Sequence, residues 1–375
     1  MKHRITHFTT VHPRTDTRIR VKEAATLARV WPGDVSLYVQ DGKGDETDAR
    51  DGLAVFDTGT PESGRLLRMT RGAFRMYRAV RRARPQIVHF HDPELLPWAM
   101  VLRFQGIRVI YDVHEDAPAT VLSKDYIPTL LGGPLATGVR LFERLARAGF
   151  SAIVAATPAI GRNFGEDAVL VQNFPLLNEL SFATPSPHEQ RPPHFAYIGG
   201  ITAIRSALEI VEAIGLVRHS GARLRMGGTF STKPLEDTAR VLDGWSRVDF
   251  HGWIGREDVR DILGRVRAGL VLFHPMPNHI RAQPNKLFEY MAAGLPVIAS
   301  DFPLWREIVE GAGCGLLVDP QDPQAIAEAM QWVLDNPEEA AEMGRRGRAA
   351  VEERYNWEAE SDKLIALYRR LIPDT

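Results

Sequence analysis

The chain has 375 residues, of which 44% are hydrophobic and 25% charged, with a formal net charge of −1. That length exceeds one ordinary core and fits two domains, and the near-neutral balance supplies no field for nucleic acid, which is excluded as an expected partner. The single cysteine, Cys314, excludes an internal disulfide framework and fits a reducing compartment.

No apolar run approaches the ~20 residues of a membrane-spanning helix. The opening Met1-Lys2-His3-Arg4 runs straight into the strand-like ITHFTTV, too short and polar for a signal peptide. The expected location is cytoplasmic, with any membrane contact peripheral on the inner face.

In chain order, strand-like runs at Ile5–Thr10, Val35–Val39, Ile87–Phe90, Val109–Asp112 and Ala152–Ala155 alternate with helical patterns at Arg18–Arg29, Arg65–Arg84, Glu94–Phe104 and Ala136–Ala148. This alternation predicts a parallel sheet covered on both faces. Leu176–Pro193 is rich in proline and polar residues and reads as a linker. A second alternation follows, with strands at His194–Ile198, Leu224–Met226, Val248–Phe250, Leu270–Phe273 and Val297–Ala299. Its helices fall at Ala203–His219, Glu257–Val266, Pro323–Leu334 and Glu338–Arg354. The expected fold class is α/β: two Rossmann-like doubly wound domains, 1–180 and 190–355, and a last helix within 356–375. Doubly wound sheets bind ligands at the C-terminal ends of their strands, so two facing domains predict a ligand cleft.

Arg65–Arg84 holds eight arginines and no acid. Arg68, Arg71, Arg75, Arg78 and Arg82 share one helical face, with Leu66, Met69, Ala73, Met76, Tyr77 and Val80 opposite. Two readings stand: a helix lying on an anionic membrane surface, or a packed helix with a solvated basic face.

His89, His91 and Asp92 close one strand, and Asp112, His114, Glu115 and Asp116 close the next. Taken alone, H-x-H-D with D-x-H-E-D suits zinc or manganese. No third such cluster follows, and histidines bonded inside the fold are a second reading. Gly199 and Gly200 follow a strand where bare backbone admits a ligand, with Arg205 just beyond.

PNKLFEYMAAGLPVIAS, Pro284 to Ser300, is the most informative stretch. Pro284 suits a helix start; Leu287, Tyr290 and Met291 give an apolar stripe; Gly294 ends the helix before a buried strand. Lys286 and Glu289 share a face near the positive end of the helix dipole. A cation and free N–H groups there suit a phosphate, and a carboxylate accepts from ribose hydroxyls. The plain alternative is a charged pair on a surface helix.

Glu289 followed by YMAAGLPVI resembles the donor-binding signature E-(A/Y)-M-A-x-G-x-P-V-I of retaining glycosyltransferases of family 4, which have the GT-B fold. TTVHPRTDTRI, HFHDPELLP, YDVHEDAP and YIGGITAIRS resemble segments of a bacterial subgroup that builds surface polysaccharides. The similarity spans nearly the whole chain. It implies a retaining, metal-independent transfer from a nucleotide-diphosphate sugar to a glycan or lipid-linked acceptor, with no cofactor besides the donor. His114 would then be catalytic, beside the anomeric carbon. His91, Asp92 and Glu115 would orient the acceptor. Arg14, Asp16 and Arg18 would meet it at the first loop, where helix capping by Asp16 or Thr17 is the alternative. Around the donor the resemblance places Gly199, Gly200, Arg205 and Lys286 at the diphosphate and Gln283 and Asn285 at sugar hydroxyls. Glu289 belongs to the same donor site, and Trp253 and Ile254 lie at the nucleobase turn. The last helix, Trp357–Leu371, would cross back onto the first domain.

The chain departs from that pattern twice. The family's first signature glutamate, eight positions before Glu289, is Arg281 here, and an arginine common after the strand is Gly200. The first change puts contacts to the sugar ring in question. It motivates two alternatives: a UDP-sugar epimerase of the same architecture, or an inactive nucleotide-sugar-binding scaffold.

Overall fold

A computed structural model describes residues 4–114, 129–177 and 187–372. The chain forms two compact units, Met1–Asn173 with Ala359–Thr375, and Phe174–Glu358.

The first unit is built on an eight-stranded sheet: β1 (Ile5–Phe8), β2 (Val35–Val39), β3 (Glu46–Thr47), β4 (Ala54–Asp57), β5 (Ile87–Phe90), β6 (Arg108–Val113), β7 (Ala152–Ala155) and β8 (Val169–Leu170). The spatial order is β3-β4-β2-β1-β5-β6-β7-β8, with only the β3–β4 pair antiparallel. Every residue of β1 and β5 is buried, as a parallel sheet covered on both faces requires. Ile5 lies opposite Ile87 and Phe8 opposite Phe90, and Phe90 stacks on Tyr111 of β6 at 4.5 Å. That register brings the ends of β1, β5 and β6 side by side, with His91 and His114 just past β5 and β6.

Three helices depart from expectation. In the second unit the expected Ala203–His219 is a 3-10 turn at Ala203–Arg205, a break at Ser206 and an α-helix at Ala207–Leu216. Residues Thr17–Ala24 wind as a π-helix before the α-helix Ala25–Val30. Asp16 caps it by accepting from Ile19 N, so the capping alternative for this loop is the one realised. In a π-helix, residues five apart share a face. Arg18 and Glu23 are five apart and form an ion pair at 3.1 Å. The basic helix runs from Arg65 to Ala83 with a π segment at Arg68–Gly72. Ala73, Met76, Tyr77 and Val80 are buried as expected. Leu66 and Met69 are not: they are 79% and 42% exposed, because the π turn offsets the register of the packed stripe.

The second unit has six strands, all parallel: β9 (His194–Ile198), β10 (Arg223–Gly227), β11 (Val248–Gly252), β12 (Ala268–Val271), β13 (Val297–Ser300) and β14 (Gly315–Val318), in the order β11-β10-β9-β12-β13-β14. Alternate residues feed two cores. Phe195 and Tyr197 of β9 join Ile210, Ile214 and Met330 on one face; Ala196 joins Leu287, Tyr290 and Trp305 on the other. Gly269 of β12 makes this packing feasible, since a Cβ there would lie 2.1 Å from the Tyr290 ring. The linker expectation needs correction over its last residues. His188 and Arg191 are buried, and His188 Nε2 donates to Arg267 O at 2.7 Å, so this segment packs against the second unit. From Ala359 onward the last helix belongs to the first unit, where Leu364 and Tyr368 are fully buried.

Candidate functional site

The C-terminal end of β9 carries an unfinished polar site. Gly199 sits at φ +118°, a conformation that side chains rarely adopt. A Cβ there would point at Lys286, 3.8 Å from its Cε. Tyr197 Oη donates to Gly200 O and Arg205 O, at 3.2 and 3.3 Å, and fixes the loop that follows. Ile198 N–H donates to Tyr290 Oη at 2.9 Å, which ties the strand to the helix Asn285–Ala292. That helix starts at Pro284, which has no side-chain cap.

Lys286 stands one residue into the helix, buried, with Nζ 4.3 Å above the Tyr197 ring and 5.6 Å from that of Phe273. Nζ has no hydrogen-bond partner. Burial, and then the nearby Arg205 guanidinium, push its pKa from 10.5 down to about 7. Arg205 lies over the Phe273 ring at 5.2 Å from its centroid and donates to Gly200 O at 3.3 Å. Thr202 Oγ1, Ser206 Oγ, Glu209 Oε2 and Gln283 Oε1 are also buried without partners. Ser206 adopts φ +52°, one of two non-glycine residues with positive φ among the described residues.

The other donor-side candidates divide. Glu289 Oε1 accepts from Arg256 Nη1 at 2.9 Å, so half of its carboxylate is committed. Asn285 is exposed beside the helix start. Ile254 packs over Gly227, where a Cβ would come within 2.4 Å of Ile254 Cδ1. Trp253 is 81% exposed, which leaves its indole face open. Arg281 is exposed at the end of the short helix Pro277–Ile280.

The first unit gathers its candidates around Asp112, which is completely buried. Arg18 grips the carboxylate with Nε and Nη2 at 2.9 and 2.7 Å; His91 Nδ1 donates at 3.1 Å, and His114 Nε2 makes a short contact. Burial opposes the charge, but Arg18, His114 and His91 hold Asp112 well below the usual carboxylate range. Burial and the Asp112 charge push Glu23 well above it. The His114 side chain is 17% exposed, and its Nδ1 has no hydrogen bond among the described residues.

The remaining acceptor-side candidates are corrected by their partners. Arg18 is 4% exposed and spent on Asp112, Glu23 and Val171 O. Arg14 is likewise buried, bidentate on Asp41, and bonded to Glu46 and Gly44 O. Neither offers a free guanidinium edge to a phosphate. Asp92 accepts from Thr9 Oγ1, Thr10 N and Thr10 Oγ1, and so pins the β1 loop instead of meeting a ligand. His91 uses both ring nitrogens inside the protein. Burial works against Asp16, yet His12 and the Ile19 N–H hold it at about 2. Glu115 lies outside the described residues.

Glu23, His89, His91 and Asp112 bring four potential ligand atoms within 4.8 Å of one another. The donor set does not fit a metal. The Arg18 guanidinium hydrogen-bonds Asp112 and lies at ion-pair distance from Glu23, and His91 Nδ1 carries a proton for Asp112. A dication would have to displace an ion pair that neutralises the pocket.

Residues 3–172 match the family model of glycosyl transferase 4-like domains, and 192–336 match that of glycosyl transferases group 1. The chain belongs to family 4 of the GT-B glycosyltransferases. It is 34% identical over 159 residues to a sucrose synthase of Acidithiobacillus caldus, covering 40% of this chain and 20% of that one. It is 23% identical over 296 residues to a glycogen synthase of Mycobacterium tuberculosis, covering 76% and 69%. Among solved structures, sucrose-phosphate synthase from Thermosynechococcus elongatus aligns with a TM-score of 0.79 at 17% identity, covering 98% of this chain and 99% of that one. Anabaena HepE in complex with UDP-glucose aligns at 0.74 with 13% identity, covering 98% and 99%.

For this glycosyltransferase the sequence reading missed Tyr197, Phe273 and Tyr290 on the donor side, and His7, Glu23 and Tyr368 on the other. One signal was available. Residues two apart at a strand end point the same way, so Asp112 with His114, and His89 with His91, were readable as neighbours. Tyr368 gave no such signal, because its partners lie some 280 to 360 positions earlier.

Proposed function

We propose that the chain transfers a glycosyl group, with retention at the anomeric carbon, from a nucleoside-diphosphate sugar to a hydroxyl of a glycan or lipid-linked acceptor. One observation carries this reading: the buried, unpartnered Lys286 amino group, set between aromatic rings beside Gly199 and Arg205. A dianionic diphosphate answers each of those features, because it supplies the missing hydrogen-bond acceptor and restores the ammonium charge. The UDP-glucose bound by HepE is a ligand of this chemical class.

As the bond from anomeric carbon to diphosphate breaks, negative charge collects on the leaving oxygen. Lys286, Arg205 and the uncapped N–H groups of the helix at Asn285 stabilise it, and losing one such donor costs about 3–4 kcal/mol of barrier. The acceptor oxygen bonds the same face of the sugar, and its proton passes to the departing diphosphate. In the resting complex His114 Nδ1 accepts from the acceptor hydroxyl and orients it, and that hydrogen bond is given up as the O–H turns to the leaving diphosphate oxygen. Fixed cations fill the electrostatic role a metal would otherwise take, so chelation leaves the rate unchanged.

The basic helix supports a lipid-linked acceptor. Arg68 is paired with Glu94 and Arg75 with Glu62. Arg71, Arg78 and Arg82 remain exposed beside Leu66, Leu67, Met69 and Phe74, which are 79%, 46%, 42% and 42% exposed. Arginines beside emergent apolar side chains suit the anionic inner surface of a membrane and synthesis of a surface polysaccharide there.

The test is a panel of UDP- and GDP-sugars with a polyprenyl-diphosphate-linked sugar, followed by proton NMR of the anomeric signals. Product of unchanged anomeric configuration is expected. Inverted product refutes retention. Epimerisation of donor alone favours the epimerase, and nucleotide binding without turnover favours the inactive scaffold.

A further inference from the structure

Behind His114 runs a buried chain of hydrogen bonds whose direction is determined. Asp112, ion-paired with Arg18, can only accept. Its contacts with His91 Nδ1 and His114 Nε2 therefore place a proton on each of those nitrogens. His7, His89 and His91 are buried with ring centroids 4.6 to 5.3 Å apart, a spacing at which imidazolium charges would repel. A neutral His91 has its lone pair on Nε2, so His7 Nδ1, 3.1 Å away, carries the proton of that bond. The lone pair of His7 then sits on Nε2 and accepts from Tyr368 Oη at 3.3 Å. The Tyr368 oxygen accepts in turn from His89 Nδ1 at 2.9 Å. No step leaves a choice. The order is His89 to Tyr368 to His7 to His91 to Asp112, with His114 donating to Asp112 from the other side.

We propose that Asp112, backed by His91, His7 and the Tyr368 hydroxyl of the last helix, is a positioning group that fixes the His114 ring with its proton on Nε2 and its Nδ1 lone pair free for the acceptor hydroxyl. The assignment of that lone pair to the acceptor rests on the transfer reading above; the tautomer does not. A histidine free to exchange tautomers would present an N–H to the acceptor part of the time and misorient it. The Asp112 contact removes that state. The chain also accounts for three buried histidines and a tyrosine: from His89 Nδ1 onward each satisfies the next, and the ion pair of Arg18 and Asp112 terminates the series. His89 Nε2 is the one ring nitrogen of His7, His89 and His91 without a partner among the described residues.

The experiment is long-range proton–nitrogen NMR of the histidine rings in the full-length, 15N-labelled protein at neutral pH. The expected pattern is Nδ1–H for His7, His89 and His91, and Nε2–H for His114. An imidazolium or Nε2–H tautomer at His7 or His91, or Nδ1–H at His114, overturns the proposal. Tyr368→Phe removes only the hydroxyl. It should leave His89 without a single tautomer and lower turnover several-fold, with KM for the donor unchanged. Asp112→Asn presents an amide that can donate to His114, which should switch it to Nδ1–H and lower turnover about 10⁴-fold by analogy with a catalytic triad. If Asp112→Asn fails to fold, the wild-type and Tyr368→Phe spectra still decide. If no donor supports transfer, the same spectra still decide, so the relay and the transfer reading fail separately.

Discussion

Replacing Lys286 with methionine keeps an apolar stem of similar length and removes the buried amino group. The ammonium is depressed from 10.5 to about 7 chiefly by desolvation. At 1.36 kcal/mol per unit, that difference corresponds to up to about 5 kcal/mol. The sign follows from proton binding. Between pH 7 and 10.5 the unfolded chain holds a proton that the folded chain has lost, so stability rises with pH across that window. The cost of the buried charge is thus full below pH 7 and absent above pH 10.5. Lys286→Met should therefore raise the melting temperature at pH 6 by ~5 °C or more and change it little at pH 10.

The same group should make ligand binding proton-linked. At pH 8 roughly nine-tenths of free Lys286 is neutral, so UDP binding should draw in close to one proton. Titration calorimetry in two buffers of different ionisation enthalpy measures that uptake, and in Lys286→Met both the uptake and most of the affinity should vanish. Above pH 7 wild-type affinity for UDP should fall by up to tenfold per pH unit, until the pKa of the bound lysine is reached. A variant that melts no higher at pH 6 and binds UDP as tightly as wild type would refute the reasoning, because it would mean that Nζ is neither strained nor waiting for an anion.

Arg205→Gln removes the second cation beside Phe273 and should weaken UDP binding tenfold or more by calorimetry; unchanged affinity would take Arg205 out of the site. Gly269→Ala drives a methyl against the Tyr290 ring and loosens its hold on Ile198. It should cost about 1–3 kcal/mol in chemical denaturation, and a neutral result would contradict the packing described. Reversing Arg71, Arg78 and Arg82 to glutamate should abolish sedimentation with phosphatidylglycerol vesicles, each arginine being worth ~1 kcal/mol at an anionic surface. Transfer to a soluble acceptor should persist, and undiminished sedimentation would rule the helix out as the contact.

The strands were the most legible part of the sequence. Val35–Val39 and Ile87–Phe90 are observed with the expected bounds because short runs dominated by β-branched, aromatic and other apolar residues have few alternatives in a covered parallel sheet. β3, β4, β8 and β14 were not among the expected strands; β3 and β8 are only two residues long, and β4 and β14 only four. Charge was legible as charge but not as partnership. Arg14 and Arg18 look alike in sequence to Arg205, yet Asp41 lies 27 residues from Arg14, and Asp112 lies 94 from Arg18. No local pattern announces such distant pairing. The π winding at Thr17–Ala24 was equally silent, although it is what aligns Arg18 with Glu23. Lys286 was readable because helix start, cation and following strand are all contiguous; its burial over Tyr197 was not.

Among the described residues both units leave buried polar atoms without partners, those of Glu23, Gln40, Arg75 and His89 in the first among them, but the residues of the two candidate sites differ in how far they are paired. In the first, Arg14, Arg18, Asp92, His91 and Asp112 each have close protein partners, so removing one leaves another buried group bare, at about 1–3 kcal/mol or more. In the second, Thr202, Ser206, Glu209, Gln283 and Lys286 all keep a buried polar atom without a partner. Five unmade bonds on that scale are comparable with the whole stability of a domain. A diphosphate that reaches Lys286 Nζ supplies the acceptor that this amino group lacks. Substitutions in the first group should therefore lower the melting temperature before they touch donor affinity. Substitutions in the second should do the reverse, and one protein set measured both ways would expose any residue assigned to the wrong side.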